Sequence, residues 1–383
     1  MRNYTTYVGM DVHARSIQAS AVVVETGEVS NRSFGGCPQA ADVAEWLATL
    51  PQPVYCAYES GCTGFVLARG LRALGYDCDV IAVSTLPRSQ KDRAQKCDRN
   101  DARAIRREMV NPDRSYSVVW VPDEKTEAER DLVRAWRAAA DDARRAKQRC
   151  EMFLLRHGHV WNERTRSGRL RKTWTRAYEA WLDSISLPEP SAERAFAAYR
   201  RRVRDACREL AELRAQVREL AARPEHAPYV GAIACLKGLD AEGAMLARAE
   251  FGDFSRFASG RKVSCWLGTV PTDSSTGDRL RHGGVTRAGN GHLRRALVEG
   301  CAGIAAWGKG RKAAPAGASP SAACRAIADR ANERLRARYD HLARERHANA
   351  NKARVAVVNE LVRWIWVIGL QVQGELLGEG AAA

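Results

Sequence analysis

Short runs of apolar and β-branched residues alternate with helical spacing over the first third of the chain. The pattern predicts strands at 7–11, 17–24, 29–34, 54–58 and 78–83. Apolar residues recur with helical spacing at 38–50 and 63–74, and a third helix is predicted in the Gly- and Pro-free run that carries Asp98 and Asp101. The first three strands are expected to form an antiparallel meander.

Acidic residues stand where two of these strands end and where the last helix begins. Asp11 ends the first strand, Glu59 follows the fourth, and Asp98 and Asp101 are three residues apart on one helical face. The order of elements is that of a ribonuclease H-like fold, an α/β class in which functional groups collect at the carboxyl ends of the central strands. We therefore expect the four carboxylates to converge.

Four converging carboxylates repel one another unless a cation offsets their charge. Oxygen ligands at this density suit Mg²⁺ or Mn²⁺. A pair of such ions roughly 3.5–4 Å apart would polarise a scissile phosphate and activate an attacking oxygen. The alternative for Asp98 and Asp101 is an N-cap aspartate followed by a solvated first-turn acid beside arginines.

From residue 124 the strand pattern stops and a basic helical arm begins, followed by a loop at 157–176 in which cations alternate with aromatic residues. Such mixtures suit single-stranded or structured RNA, with guanidinium on phosphate and ring on base. The alternative is a solvated helix face with core tryptophans. The cations expected to contact nucleic acid here are Arg164, Arg166, Arg169, Arg171 and Lys172. Between 196 and 220 the apolar spacing predicts a coiled-coil helix, paired either with the preceding arm or with a second chain.

The remaining residues predict a mostly helical domain. Segment 233–250 resembles a helix-hairpin-helix element, although Asp240 replaces its usual second glycine and weakens the case for direct phosphate binding. Further on, a Gly-bounded turn with hydroxyl side chains leads into a cluster of cations. The hydroxyls are Ser274, Ser275 and Thr276, and the cations are Arg279, Arg281, Arg287, Arg294 and Arg295. This combination fits nucleophilic attack on a phosphodiester, and an ordinary polar loop is the alternative.

Length and composition limit the number of domains, the class of binding partner and the cellular compartment that can be expected. The 383 residues allow two or three domains, which we place at 1–122, 123–223 and 224–383. A net charge of +16 indicates a polyanionic partner, with nucleic acid the first candidate. Eleven cysteines without zinc-site spacing predict free thiols in the cytoplasm. The apolar segment 355–372 contains Asn359, Glu360 and Arg363, which favours a core helix over a membrane span.

Two blocks of sequence resemble one known family. Gly-Met-Asp-Val-His, Tyr-Glu-Ser-Gly and Cys-Asp-Arg-Asn-Asp-Ala-Arg resemble the RuvC-like domain of the insertion-sequence transposases that share an Asp-Glu-Asp-Asp quartet with the Piv DNA invertases. Gly-Thr-Val-Pro, Ser-Ser-Thr-Gly and Gly-Gly-Val-Thr-Arg-Ala-Gly-Asn resemble the C-terminal domain of that family, in which a serine bonds covalently to the cleaved strand. By this resemblance Asp11, Glu59, Asp98 and Asp101 occupy the acidic positions. The family's serine falls on Thr276.

The resemblance implies a recombinase of mobile DNA that cuts and rejoins through Mg²⁺-bound acids and a serine–DNA intermediate. It also implies a structured guide RNA that pairs with target and donor DNA, and homodimers that assemble into tetramers. Because serines precede Thr276, we expect Ser275 to attack, with Thr276 and then Ser274 as alternatives. The remaining alternative is that this copy of the enzyme is impaired.

The residues leave other functions open. One is a metal-dependent nuclease in which water attacks, and another is a nucleic-acid-binding protein without catalysis. A third is an actin-like sugar kinase or ATPase, which also begins with a strand ending in Gly-x-Asp. Such an enzyme needs glycines after the aspartate to admit phosphates, and here Val12, His13 and Ala14 follow Asp11.

Overall fold

A computed structural model of the protein describes residues 4–86, 98–113, 116–273, 282–308 and 310–378. The chain divides into two compact units, Met1–Glu127 and Ala128–Ala383. The arm and the C-terminal helices both fall in the second unit, so the predicted boundary at 223 remains a prediction.

The first unit is a mixed sheet with three complete α-helices among its described residues. Its elements are β1 (Thr6–Val12), β2 (Ile17–Val23), β3 (Val29–Phe34), α1 (Ala40–Leu47), β4 (Val54–Glu59), α2 (Val66–Ala73), β5 (Asp77–Ile81), α3 (Asp98–Val110) and β6 (Val118–Val119). The strand order is β3-β2-β1-β4-β5-β6. Strands β1, β4 and β5 are mutually parallel, and the other pairs are antiparallel. The predicted meander is confirmed, and this architecture is compatible with a ribonuclease H-like fold.

The two faces of the sheet carry separate cores, because successive strand residues point to opposite sides. Val8 and Met10 are fully buried on the face that packs with residues of α1 and α2. Tyr55 and Ala57 belong to the other face, which is covered by α3. Each large apolar side chain buried in this way contributes about 1.5–3 kcal/mol.

Helix α3 forms because its sequence lacks Gly and Pro and repeats apolar residues at helical spacing. Ala102, Ile105 and Met109 are its buried residues. The helix ends at Val110, just before Pro112, since a proline disfavours helical backbone in the residue that precedes it.

The second unit is almost entirely helical, and α4 begins at the end of the first unit. Its elements are α4 (Glu124–Arg156), α5 (Arg176–Ser184), α6 (Pro190–Ala222), α7 (Ala227–Ile233), α8 (Ala241–Phe251), α9 (Gly260–Leu267), β7 (Pro271–Asp273), β8 (His282–Val285), α10 (Gly291–Gly300), α11 (Ala322–Asp340) and α12 (Ala350–Leu376). β7 and β8 form an antiparallel hairpin.

The arm consists of α4 and α6 with α5 between them. Phe153 lies near the end of α4, and Phe196 and Tyr199 lie near the start of α6. The ring centroid of Phe153 is 6.3 Å from that of Phe196 and 5.1 Å from that of Tyr199. At the other end, Val133 of α4 and Val217 of α6 belong to one buried cluster. At the start of α6 the partner of the predicted coiled-coil seam is therefore the preceding helix of the same chain, and near its end α6 is paired with α8 through Arg214 and Glu242.

Helix α12 is long and apolar enough to cross a membrane by those two criteria. In the structure Val358, Leu361, Val362 and Ile365 are buried within the main hydrophobic cluster of the second unit. This is the arrangement of a core helix, as the polar residues in the segment predict.

Candidate functional site

The parallel pairing of β1 and β4 sets the positions of the first two predicted acids. The register runs from Thr6 opposite Val54 to Met10 opposite Tyr58. Asp11 and Glu59 each follow the last of these pairs, at the same end of two neighbouring strands. Alternation places both residues on the face covered by α3.

Helix α3 lies directly on this part of the sheet. A Cβ added to Gly9 would overlap the carbonyl oxygen of Ala102 and the nitrogen of Arg106, so only glycine permits this approach. Ile105 and Met109, in the later turns, cluster with tyrosines near the starts of β1 and β4. The first turn of the helix, which contains Asp101, is therefore directed toward the strand ends.

The predicted acids differ in how fully they are described. The side chains of Asp11, Glu59 and Asp101 are all partly buried. Asp98 is the first residue of α3, and its side chain lies outside the described residues. Carboxylate oxygens are the donors that Mg²⁺ prefers, so the chemistry of this set fits that ion.

His13 is a site residue that was not predicted from the sequence. Its Nε2 lies 3.2 Å from Oδ2 of Asp11, with 17% of the Asp11 side chain exposed and 53% of the His13 side chain. A histidine beside a carboxylate can fix the orientation of that carboxylate. The Asp-Val-His spacing was the available signal, because residues two apart in a strand share a face.

A second group of potential ligands lies in the second unit. One ligand atom from each of Glu129, Glu225 and His226 falls within 4.8 Å of the others. The Nε2 of His226 is 3.1 Å from Oε1 of Glu129, and His226 is buried. An imidazole can also lie this close to a carboxylate without a metal, so the cluster alone does not identify a metal site. Glu129 is far from Glu225 and His226 in the sequence, so the cluster could not be predicted from local spacing.

The predicted nucleophiles follow β7. Ser274, Ser275 and Thr276, with Arg279 and Arg281, lie outside the described residues. The base of the hairpin is described and tightly built. Gly268 and Gly289 have φ values of 72° and 75°, and each packs against backbone that a Cβ would overlap. Because these approaches leave no room for a side chain, the strands have one defined place on the helical core.

Most of the other predicted cations are exposed, and several of them also have partners within the protein. The arm-loop residues are all exposed, namely Arg164, Arg166, Arg169, Arg171 and Lys172. Arg287 and Arg295 are exposed as well, and Arg294 is partly buried. In the arm loop, Arg164 donates to the carbonyl of Gly168 at 2.8 Å and Arg171 lies 3.7 Å from Glu163. Arg294 donates hydrogen bonds to the carbonyls of Leu267 at 2.7 Å and Ala288 at 3.1 Å. Arg295 pairs with Asp141 and with Glu299. Contact of any of these cations with nucleic acid remains a prediction.

The aromatic residues near the arm loop pack mainly on one another. Trp161 lies 5.3 Å from Tyr178 and 5.4 Å from Trp181, and Trp174 lies 5.2 Å from Tyr178 between ring centroids. Tyr178 is buried, and the three tryptophans are partly exposed. These rings form the core at the end of the arm, as the alternative interpretation of this segment expected.

The helical hairpin α7–α8 is closed by contacts within the protein. Lys237 donates its backbone N–H to Oδ1 of Asn332 at 2.7 Å, and Gly238 packs against Gly300 and Trp307. Asp240 is the N-cap of α8, accepting from the Gly243 N–H at 2.8 Å. These contacts occupy the turn, which argues against the direct phosphate binding that the helix-hairpin-helix resemblance implied.

Comparison with known proteins identifies the family. Residues 232–314 match the family model described as transposase IS116/IS110/IS902 family. A Sinorhizobium fredii protein named as a transposase, y4qE, is 32% identical over 377 residues, covering 96% of this chain and 89% of that protein. The transposase for insertion sequence element IS1533 of Leptospira borgpetersenii is 30% identical, covering 67% of this chain and 72% of that protein. The chain belongs to the IS110/IS116/IS902 transposase family.

A third relative extends the same conclusion. The probable family 20 transposase of Pseudomonas aeruginosa is 25% identical over 303 residues, covering 76% of this chain and 82% of that protein. In the present chain, the segment that matches the family model contains the β7–β8 hairpin and helix α10. The similarity of the chain to the Sinorhizobium fredii protein extends over both structural units.

Proposed function

We propose that this transposase cuts and rejoins the DNA of an insertion sequence at a site built from Asp11, Glu59, Asp98 and Asp101. The observation that carries the proposal is the β1–β4 register, which places Asp11 and Glu59 at adjacent strand ends under α3. Membership of a transposase family supports the activity, and the net charge of +16 supports a nucleic-acid substrate.

The four carboxylates are proposed to hold Mg²⁺, or Mn²⁺ in its place. The bound ion would polarise the scissile phosphate and lower the pKa of an oxygen bound to it. The role of the chain itself is to set the ligand positions. Gly9 admits α3 to the sheet, and His13 contacts the Asp11 carboxylate.

The attacking group is proposed to be the hydroxyl of Ser275, with Thr276 and Ser274 as alternatives. Its oxygen would form a phosphoester bond while one strand oxygen leaves phosphorus and takes up a proton. The hydroxyl proton would pass to a neighbouring base or to water. Because the new ester keeps the energy of the original bond, a strand oxygen could attack it in turn and rejoin DNA without another energy source.

The partners are proposed from the charge distribution and the family resemblance. Target and donor DNA would be substrates, and a structured guide RNA would contact the exposed arm loop at 164–172. The active assembly would be a tetramer formed by two homodimers, in which acids of one subunit meet the hydroxyl of another. The division into domains at 1–122, 123–223 and 224–383 assigns these tasks to separate parts of the chain. The transposase would be located in the bacterial cytoplasm, in association with the nucleoid.

The test is a cleavage and strand-transfer assay with the full chain, the noncoding RNA that flanks the element, target DNA and Mg²⁺. Asp11→Asn, Glu59→Gln and Asp101→Asn should each lose cleavage while RNA affinity is unchanged. Glu25→Gln, at an exposed acid in the β2–β3 turn, is the matched control and should retain activity. Full activity in the three acid variants would overturn the proposal. Cleavage without any protein–DNA adduct would instead indicate a metal-dependent nuclease.

A further inference from the structure

Glu250, near the end of α8, is a charged residue with only 1% of its surface exposed. Its two carboxylate oxygens accept hydrogen bonds from Nε and Nη2 of Arg134 at 2.7 and 2.9 Å. The side-chain amide of Asn290 donates a third hydrogen bond at 2.7 Å. A buried carboxylate is strongly destabilising unless it is paired and hydrogen-bonded, so these partners are what allow Glu250 to be buried.

The carboxylate stays charged at neutral pH. Burial raises the pKa of Glu250, but the hydrogen bond and charge of Arg134, the Asn290 amide and the charge of Arg130 together outweigh that effect. The pKa is lowered overall. Glu250 therefore presents a full negative charge to the Asn290 amide.

Asn290 joins Glu250 to the base of the β7–β8 hairpin. Its side-chain oxygen caps α10 by accepting from the Leu293 N–H at 2.9 Å, and its own N–H donates to the carbonyl of Trp266 at 2.9 Å. These contacts fix the orientation of the Asn290 side-chain amide, whose nitrogen faces Glu250 and whose oxygen faces the N-terminus of α10.

The residues between β8 and Asn290 transmit that orientation to the strands. Thr286 donates its N–H to the carbonyl of Val270 at 2.9 Å, and Arg287 donates to Gly268 at 3.1 Å. Gly268 and Gly289 make the close backbone approaches described above. A shift of Asn290 would therefore displace the segment that holds β7 and β8 in place.

We propose that Glu250 is a positioning residue of the transposase, which fixes the β7–β8 hairpin through Asn290. The consequence for catalysis rests on the proposed function, because there the chain between these strands carries the attacking hydroxyl. Arg134 belongs to α4, so the same carboxylate also connects the arm to the hairpin.

The chain contains a matched control for this role. Glu242 lies on the same helix, has 2% of its surface exposed and binds Arg214 and Arg218, both on α6. Burial raises the pKa of Glu242, and the hydrogen bonds of the arginines and of its own backbone outweigh it. It is thus a second buried, arginine-paired carboxylate whose arginine partners lie away from the hairpin.

The experiment compares amide hydrogen exchange by mass spectrometry in the full-length wild type, Glu250→Gln, Glu242→Gln and Asn290→Ser. Serine is a good N-cap, so Asn290→Ser keeps the helix cap but loses the donor to Glu250. Loss of a hydrogen bond to a charged group corresponds to about tenfold or more in an opening equilibrium. Glu250→Gln and Asn290→Ser should therefore raise exchange at 282–290 by about this factor, and Glu242→Gln should leave it unchanged.

A second readout separates this inference from the proposed function. Glu250→Gln and Asn290→Ser should slow single-turnover cleavage with unchanged affinity for RNA and DNA, and Glu242→Gln should not. If the wild type forms no covalent adduct, the proposed function fails while the exchange comparison still decides the role of Glu250. Equal exchange at 282–290 in Glu250→Gln and Glu242→Gln overturns the inference, whatever the activities are.

Discussion

Gly9 of β1 and Ala102 of α3 touch backbone to backbone, at a point where a methyl group on Gly9 would overlap the Ala102 carbonyl. This contact sets how closely the helix that carries Asp98 and Asp101 approaches the strand that carries Asp11. The proposed metal site therefore depends on a residue that contributes no side chain to it.

Replacing Gly9 by alanine should push α3 away from the sheet. Overpacking of this kind costs about 1–3 kcal/mol, so thermal unfolding of the first unit should occur at a lower temperature. Gly35→Ala is the control, because a Cβ there meets no atom within 4 Å. Calorimetry of both variants provides the comparison, and an unchanged unfolding temperature for Gly9→Ala would contradict the packing described for α3.

Magnesium should stabilise the protein through the acids of the first unit. At about 100 times its Kd a bound ion adds ~2.7 kcal/mol to the free energy of unfolding. Asp11→Asn should remove this stabilisation, whereas Glu129→Gln should keep it. Thermal unfolding with and without Mg²⁺ distinguishes the two sites. Loss of the effect in Glu129→Gln alone would move the metal to the Glu129–Glu225–His226 group.

Acid should destabilise the second unit through its two buried glutamates. The pKa values of Glu242 and Glu250 are lowered from an ordinary 4.5 by their arginine partners, although burial acts in the opposite direction. A lowered folded-state pKa contributes stability above the unfolded-state pKa, and that stability is lost as the pH falls through the folded-state value. Urea unfolding as a function of pH should show this loss below 4.5 in the wild type, and a weaker loss in Glu250→Gln. Identical pH profiles for the two proteins would contradict the charged state assigned to Glu250.

RNA binding should depend on salt through the exposed arm loop. For single strands, each phosphate contact contributes about 0.7 to the slope of log affinity against log salt concentration. Changing Arg164, Arg166 and Arg169 to glutamine should lower that slope. Arg208→Gln is the control, since this exposed arginine on α6 is already paired with Asp205 at 2.8 Å. The same slope in the triple variant and the wild type would place the RNA elsewhere.

The sheet could be predicted from sequence because its strands are short apolar runs with a buried period of two, as at Val8 and Met10. The β7–β8 hairpin could not, because strands of three and four residues leave too little pattern. The apolar seam of the arm helix could be predicted from its heptad spacing. That the partner helix belongs to the same chain could not, because heptad spacing does not specify which helix packs against the seam.

The candidate site shows the same division. Asp11 and Glu59 lie at the ends of strands, and strand ends can be located from the sequence. In the sequence Glu250 cannot be distinguished from the other acidic residues on helices. Its partner Arg134 is 116 residues away. Arg134 itself reads as a phosphate-binding cation, and only the fold shows that it is paired with a buried carboxylate. Long-range ion pairs leave no local signal, so composition overstates how many arginines face nucleic acid.

The proposed reaction is attack by a hydroxyl among Ser274, Ser275 and Thr276 on a phosphate held at the acids of the first unit. The most direct measurement is to mix the transposase, its flanking noncoding RNA, target DNA and Mg²⁺, then quench, digest and locate any nucleotide on the protein by mass spectrometry. We predict a nucleotide ester on Ser275 in the wild type and none in Asp11→Asn. Cleaved DNA with all three hydroxyls unmodified would contradict the account.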